Sequence, residues 1–510
     1  QQIFLAPHGM EQFHLEIQNL YAALAQPTEK LTVSYPVSDG KGAEKRPSFV
    51  IGRIARLLPS ISVETESADK GYRLSAKSTA LEYAGEHIGG ALWQYFEGQG
   101  DAERALAAMK DASRYTRGHL SRDAVRALYG GAVTLSASRM DMARSCHFAY
   151  FMRYGLKARE RTGAGFDAPQ IGTFVHDVME HTLRQAKECG GLHTLSKDKL
   201  HALVRASIEE YIDRVLPDLC EKSARFRYLF NRLCATVERI MDEVSEELQS
   251  SDFEPLAFEL EFGADGQLPA ITIREENGTA RVVGKVDRVD GWLHDGKLYL
   301  RVVDYKTGKK SFDLAELRYG LGLQMLLYLF TLKEEGQMLF GGHEIVPAGV
   351  LYTPAREPML RCARDTEPET IEKALKKELR RSGMVLEDPA VLQAMEHSAL
   401  ESPCYLPIAV KRDGAVTGSL ASAEQLGKLS KYVDHILHEI TQEVFAGNID
   451  ADPYARTPQQ SACTYCEFAS ACHFENGCGS DRMEYIKATK NDEFWQYIDE
   501  LNGEGAHENG

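Results

Sequence analysis

Two strands and one tight turn hold residues that can do chemistry together. The stretch "RVVGKVDRVDGWLHDGKLYLRVVDYKTG", residues 281–308, carries Asp287 and Asp304 inside valine-rich runs, with Lys306 two positions beyond Asp304 and Lys285 two before Asp287. Val, Leu and Tyr favour extended backbone, and Asp295-Gly296 is a preferred centre for a two-residue hairpin, where both positions take positive φ. A hairpin centred there sets Asp287 opposite Asp304. Side chains two apart share a face, so Lys306 points with Asp304 and Lys285 with Asp287. Facing carboxylates repel unless a cation lies between them. A divalent metal held by both, with a lysine beside the reacting oxygen, accounts for an acid that interrupts an apolar run. A solvated hairpin face does not.

Two helical stretches add polar groups at a spacing of four. "GTFVHDVME" (172–180) puts His176 and Glu180 on one helix face, and "QMLLY" (324–328) does the same for Gln324 and Tyr328. Among the ten cysteines, Cys463, Cys466 and Cys472 form C-x₂-C-x₅-C. Three thiolates need a fourth donor, and the residues leave two candidates: Cys478 nearby or Cys146 far upstream in "RSCHFAYF". Four thiolates suit zinc or a [4Fe–4S] cluster. Cys189, Cys220, Cys234, Cys362 and Cys404 show no ligand spacing and are expected to be buried apolar side chains. Lys306-Thr307-Gly308 matches the K-T-G of penicillin-binding enzymes, but the accompanying S-D-N is missing, and that reading is set aside.

The elements that must position these groups follow from pattern. Residues 11–35 read as a helix and a short strand, and 36–48 as a loop. Residues 49–58 and 76–129 read as helical. A new unit starts near residue 130, with Ser136 as a helix cap, and helices dominate to about 250. Strands are expected at 256–262, 269–274, 281–293, 298–306 and 346–352, with a helix over 313–334 and a disordered tail at the end. With 510 residues, two or three domains are expected. At 43% hydrophobic and 26% charged the chain has a globular composition, and its longest apolar run is too short to span a bilayer. No leader pattern argues for secretion, so a cytoplasmic location is expected, and the chain, opening on Gln1, reads as part of a longer protein. The net charge of −16 disfavours a general polyanion binder, although basic residues do cluster. The groups are Arg114, Arg117, Arg122 and Arg126; Lys306, Lys309 and Lys310; and Lys376, Lys377, Arg380 and Arg381. Each taken alone reads as a solvated face.

The order G-x-x-x-H, V-D, D-Y-K, Q-x-x-x-Y over residues 172–328 resembles the RecB-type branch of the PD-(D/E)xK nuclease superfamily. The resemblance implies His176, Asp287 and Asp304 as metal ligands, with the Tyr305 backbone carbonyl as a fourth, binding Mg²⁺ or Mn²⁺. It gives Lys306 the attacking water and the charge growing on phosphorus, and Gln324 and Tyr328 the positioning of the DNA strand or the bracing of the site. The cysteine layout resembles the B subunits of AddAB-type helicase–nucleases, in which Cys146, Cys463, Cys466 and Cys472 would hold a [4Fe–4S] cluster that staples the nuclease domain. "NLYAALAQPTEKLTVSY" (19–35) resembles the last motif of superfamily 1 helicases with its ATP-contacting arginine gone, and no G-x-x-x-x-G-K-[ST] occurs. The implied fold is an α/β nuclease core with many helices, stapled by the cluster and preceded by the end of an inactive helicase-like domain. The expected boundaries are 1–60 for the helicase-like end, 61–130 for a helical connector, 131–490 for the nuclease and 491–510 for the tail. The implied function is metal-dependent DNA exonuclease action on single strands from processed duplex ends, on the 5′-terminated strand, for double-strand break repair. The implied partner is the A subunit in a heterodimer, with no membrane. The alternatives are a free-standing iron–sulfur exonuclease of the CRISPR-associated kind and a DNA-binding scaffold with an inactive site.

Overall fold

The computed structural model describes residues 9–37, 44–61, 70–114, 116–159, 168–217, 223–263, 266–308, 310–363, 366–457 and 459–508. Lys309, Cys220 and much of the expected 36–48 loop lie outside them. The chain divides into two compact units, residues 1–110 and 111–510.

The first unit is helical: α1 (Gly9–Ala25), α2 (Phe49–Leu57), α3 (Lys77–Glu86), α4 (Ala91–Phe96) and α5 (Asp101–Ser113), in which the division falls. Its small core is Ala80, Ala84, Trp93, Phe96, Ala102 and Leu106. The expected helix over 76–129 is four helices. Glycines at 89, 98, 100 and 118, all at positive φ, interrupt it. The short strand expected after the helix within 11–35 has no ladder among the described residues.

In the second unit α6 (Arg122–Tyr129), β1 (Ala132–Leu135) and α7 (Ala137–Ser145) lead to three long helices, α8 (Ala168–Glu188), α9 (Lys197–Val215) and α10 (Ala224–Gln249). Then come β2 (Glu254–Phe262), β3 (Ile271–Glu275), β4 (Gly278–Val282), β5 (Gly284–His294) and β6 (Lys297–Lys306). The expected helix over 313–334 is two, α11 (Leu314–Arg318) and α12 (Gln324–Glu335), because Gly320 and Gly322 turn left-handed between them at φ 74° and 68°. The unit ends with β7 (Glu344–Pro354), β8 (Ser382–Leu386), β9 (Leu420–Ala421), α13 (Ala423–Ala446) and α14 (Asn491–Glu508).

The main sheet is mixed, with strand order β9-β8-β7-β6-β5-β2. β6 and β7 run parallel, while β5 pairs antiparallel with both β2 and β6. α12 packs on β6 and β7, α8 on β2, and α13 closes over β3 and β4. The segment expected as a tail is helix α14, with Phe494, Trp495 and Ile498 buried and the helix packed on α13. That aromatic-rich apolar turn stabilises it against the glycines that follow.

Candidate metal centre and cysteine cavity

The β5–β6 hairpin turns at Asp295 and Gly296, with φ of 49° and 79°, as the Asp-Gly pair requires. The ladder runs in the expected register from His294↔Lys297 to Arg288↔Val303. One step further, Asp287 comes opposite Asp304, and there a side chain replaces the ladder: Asp287 Oδ2 accepts the Tyr305 N–H at 2.8 Å. Lys306 Nζ lies 2.6 Å from Asp304 Oδ2, on the shared face. The approach lacks hydrogen-bond alignment, so that buried oxygen is left without a hydrogen-bond donor.

α8 delivers His176 to the same place. Its Nε2 is 3.0 Å from the Tyr305 carbonyl and its Nδ1 is 3.3 Å from Asp287 Oδ2. The carbonyl expected as a fourth ligand is therefore engaged by the imidazole. An Nε2–H donating to a backbone carbonyl leaves Nδ1 as the ligand atom, the arrangement that orients metal-binding histidines. Glu180, one turn on, pairs with Arg184 instead.

Sequence reasoning missed Glu259. It lies on β2 between Phe258, which pairs with Arg288, and Leu260, which pairs with Val286, so the register aims it at Asp287. Its φ of 49° lifts it out of the ladder. Donor atoms of His176, Glu259 and Asp287 lie within 4.8 Å of one another, the one such set of three among the described residues. Lys285, expected beside Asp287, pairs with Glu259 at 2.5 Å.

The electrostatics fit a site built for a cation. Burial, then the Asp287 charge, pushes the Asp304 carboxyl up to about 6, against the pull of Lys306. Burial also raises Glu259, with Asp287 adding to it against Lys285. Burial lowers His176, but its hydrogen bond to Asp287 and the surrounding carboxylates outweigh this, and the net shift is upward. Carboxylates crowded to this degree, with one imidazole, are a hard donor set that suits Mg²⁺ or Mn²⁺.

A cavity of about 600 Å³, lined by Ser136, Ser138, Glu261, Lys285, Gln324 and Tyr328 among others, adjoins the carboxylates through Lys285, which pairs with Glu259. Gln324 Nε2 donates to Tyr328 Oη at 3.2 Å, one turn apart on α12. A Cβ at Gly284 would meet the Tyr328 ring at 2.5 Å, so glycine lets α12 pack down on β5.

Beneath Tyr305 lies a second group that sequence reasoning missed. Arg288, Asp290 and Arg301 are 0% exposed, and Glu247 and Arg381 nearly so. Arg301 Nε is 2.9 Å from Asp290 Oδ2, Arg381 Nη2 is 2.5 Å from Glu247 Oε2, and Arg288 Nη1 donates to Tyr305 Oη at 2.6 Å. Burial pushes Glu247 up, but three guanidiniums outweigh it and hold the carboxyl at about 2. Charges in a strand read as a solvent face; these face inward because α10 brings the carboxylate of Glu247 to Arg288 and Arg301, with Arg381, just before β8, pairing its other oxygen. Arg380 likewise donates to backbone carbonyls of residues 403 and 408, so in that basic cluster Arg380 and Arg381 are structural, while Lys376 and Lys377 lie on an exposed face.

The cysteines gather elsewhere. Cys146, Cys463, Cys466 and Cys472 line one cavity of about 600 Å³, and Cys478 does not. Cys146 is brought there by its neighbours. His147 donates its backbone N–H to Asp452 at 2.9 Å and pairs through its ring with Asp452 (2.6 Å) and Glu443 (3.1 Å), and Phe148 N–H donates to the Asp450 carbonyl. Arg117, expected on a solvated face, pairs with Asp481 at 2.7 Å, donates to the Cys472 carbonyl and stacks on Phe148. Burial pushes the Cys146 thiol up to about 12. Of the cysteines expected to be buried, those among the described residues are not: Cys189 and Cys362 are exposed, and Cys234 and Cys404 are partly exposed.

Residues 134–473 match the family model of the PD-(D/E)XK nuclease superfamily. The chain belongs to that superfamily. The matched stretch holds the nuclease hairpin, His176, Glu259 and the four cavity cysteines. Among curated proteins the chain is similar to the B subunit of the ATP-dependent helicase/deoxyribonuclease of Ruminiclostridium cellulolyticum, at 30% identity over 94% of this chain. It is similar to the proteins of that name from Clostridium botulinum strain Loch Maree, at 29% over 94%, and Thermoanaerobacter sp. strain X514, at 28% over 95%. The chain spans 44% of the length of each of these relatives. Among the described residues of this nuclease no helix is long and apolar enough to cross a membrane.

Proposed function

We propose that the chain hydrolyses DNA phosphodiesters with a divalent metal, as the nuclease-bearing portion of an AddAB-type B subunit. The observation that carries this is one cluster: His176, Glu259 and Asp287 within a shared coordination distance, with Lys306 against Asp304 beside them. His176, Asp287, Asp304 and Glu259 would hold Mg²⁺ or Mn²⁺, which when bound supplies Lewis-acid activation of water and of the phosphate. Lys306 places an ammonium where charge grows on phosphorus and orients the attacking water. Gln324 and Tyr328 line the cavity into which the strand would lie. The four thiols around one cavity support a [4Fe–4S] cluster on Cys146, Cys463, Cys466 and Cys472, closing more than 300 residues of chain and so opposing unfolding.

By likeness to proteins named as part of a helicase/deoxyribonuclease, we assign the work to resection of double-strand breaks beside an ATP-driven partner, with cutting of the 5′-terminated strand. The helicase-like character of residues 1–60 is part of the same proposal and rests on the motif in 19–35. Cleavage of end-labelled single-stranded DNA with Mg²⁺ tests the reading. Wild type should cut and Asp304→Ala should retain no more than a few per cent of the rate while still binding DNA. Equal cutting by both would end the assignment. A broad visible absorption band that bleaches on reduction of anaerobically purified protein tests the cluster, and a colourless zinc protein would refute it.

A further inference from the structure

One helix touches both cavities. α7 contributes Ser138 to the cavity beside the carboxylates, and contributes Ser138, Asp141, Met142 and Ser145 to the cysteine cavity, with Cys146 following directly. The same helix grips the loop between α11 and α12. Asp141 Oδ1 accepts the Gly322 N–H at 2.9 Å, and Arg144 Nε donates to the Tyr319 carbonyl at 3.3 Å. Gly322 is two residues before Gln324, the first residue of α12. The loop is shaped for this grip: a Cβ at Gly320 would come within 2.8 Å of Arg144 Nε, so only glycine admits the arginine. Arg144 is anchored from behind by Glu443, which also takes His147, the residue after Cys146.

We infer that α7 couples the cysteine cavity to the strand-facing cavity, and that Asp141 is a positioning residue for Gln324. The inference rests on reading Cys146 as a cluster ligand and Gln324 as strand-facing. When Cys146 is held, α7 is fixed at its C-terminal end, and the two bonds to Tyr319 and Gly322 fix the start of α12. When that hold is lost, the end of α7 keeps the His147 and Arg144 contacts to Asp452 and Glu443, but its clasp on the first turn of α12 loosens. The carboxylates and His176 are on other elements, so the effect falls on strand engagement first.

The test is hydrogen exchange of the 319–328 segment in the full chain, with iron content and single-stranded DNA kinetics measured on the same preparations. Asp141→Ala should keep its iron, exchange the Gly322 amide about tenfold faster for loss of one hydrogen bond, and raise KM for the strand more than it lowers kcat. Asp141→Asn keeps the acceptor oxygen and should restore both. Wild-type protein stripped of iron should show the same faster exchange. Unchanged exchange in Asp141→Ala, iron lost from that variant, or Asp141→Asn behaving like Asp141→Ala would each overturn the positioning role. Protection of 319–328 that survives iron removal would overturn the coupling. Wild type that purifies without iron fails the cluster reading and the coupling with it, and wild type that cuts nothing fails the nuclease reading. In either case the exchange comparison still decides whether Asp141 holds the loop.

Discussion

Replacing Asp304 with asparagine should make the metal-free protein more stable at neutral pH while ending cleavage. Asparagine has the shape of the protonated carboxyl, and the structure already disfavours the ionised one: burial and Asp287 push Asp304 up to about 6 from its ordinary 3.8. For an acid raised in the folded state, the native protein holds the proton more tightly than the unfolded chain does. Stability of wild type therefore rises as pH falls through about 6 and levels off below 3.8. Above pH 6 the ionised group costs on the order of 3 kcal/mol, and Asp304→Asn removes that cost. Urea unfolding of chelator-treated wild type and variant, followed from pH 4 to pH 8, reads the difference directly. The variant should be the more stable by roughly 2–3 kcal/mol at pH 7.5 and equal to wild type near pH 4. Adding Mn²⁺ should narrow the gap, because the cation stabilises only the chain that keeps the full donor set. A variant less stable than wild type at pH 7.5, or a gain as large at pH 4, would refute the claim that this site is strained by its own charge.

Lys306→Ala should lower cleavage by about 100-fold or more, yet hold or improve Mn²⁺ affinity, since it removes a neighbouring positive charge; much weaker calorimetric binding would contradict the role. Glu259→Gln should weaken Mn²⁺ binding at least tenfold in the same titration, and unchanged affinity would remove Glu259 from the ligand set. Glu247→Gln leaves three buried guanidiniums around Asp290 alone and should cost about 3–5 kcal/mol in denaturant unfolding, where a loss under 1 kcal/mol would show the cluster is not holding the sheet. Cys146→Ser should lose iron and become open to limited proteolysis, while Cys189→Ser, exposed and outside the cavity, should keep both; iron retained in Cys146→Ser would place the fourth ligand elsewhere.

The hairpin was legible because its turn chemistry is strict. Asp295-Gly296 fixes the register, register sets Asp287 against Asp304, and alternation brings Lys306 to the same face. Glu259 was not legible, because it reaches the site through a strand pairing that the sequence does not announce and through a left-handed residue that breaks the strand pattern. His176 is more than 100 residues from the hairpin, and only family resemblance singled it out. The pattern C-x₂-C-x₅-C was plain in the sequence, but the residues alone left Cys146 and Cys478 open; family resemblance favoured Cys146, and the His147–Asp452 and Phe148–Asp450 contacts, which join segments about 300 residues apart, bring it to the same cavity. The buried Arg288, Asp290 and Arg301 read as ordinary polar strand positions, since composition cannot tell a solvated charge from one facing a buried partner. Helix α12 started later than its apolar run suggested because Gly320 and Gly322 favour the left-handed turn that α7 needs.

The cavity that joins Cys146 to Cys463, Cys466 and Cys472 also sets an order of events during synthesis. Cys146 leaves the ribosome more than 300 residues before Cys463. At about 5–20 residues per second, that is roughly 15 s to a minute in which its thiol has none of the other three cavity cysteines. The hairpin, His176 and Glu259 all emerge in that interval, so the His176–Glu259–Asp287 cluster can assemble first. A group bridging all four sulfurs can be inserted only after residue 472 has been made. A nascent or truncated chain therefore passes through a stage in which His176, Glu259, Asp287 and Asp304 have been made and α7 can already grip the 319–322 loop, while Cys146 at its end still has no partner thiols.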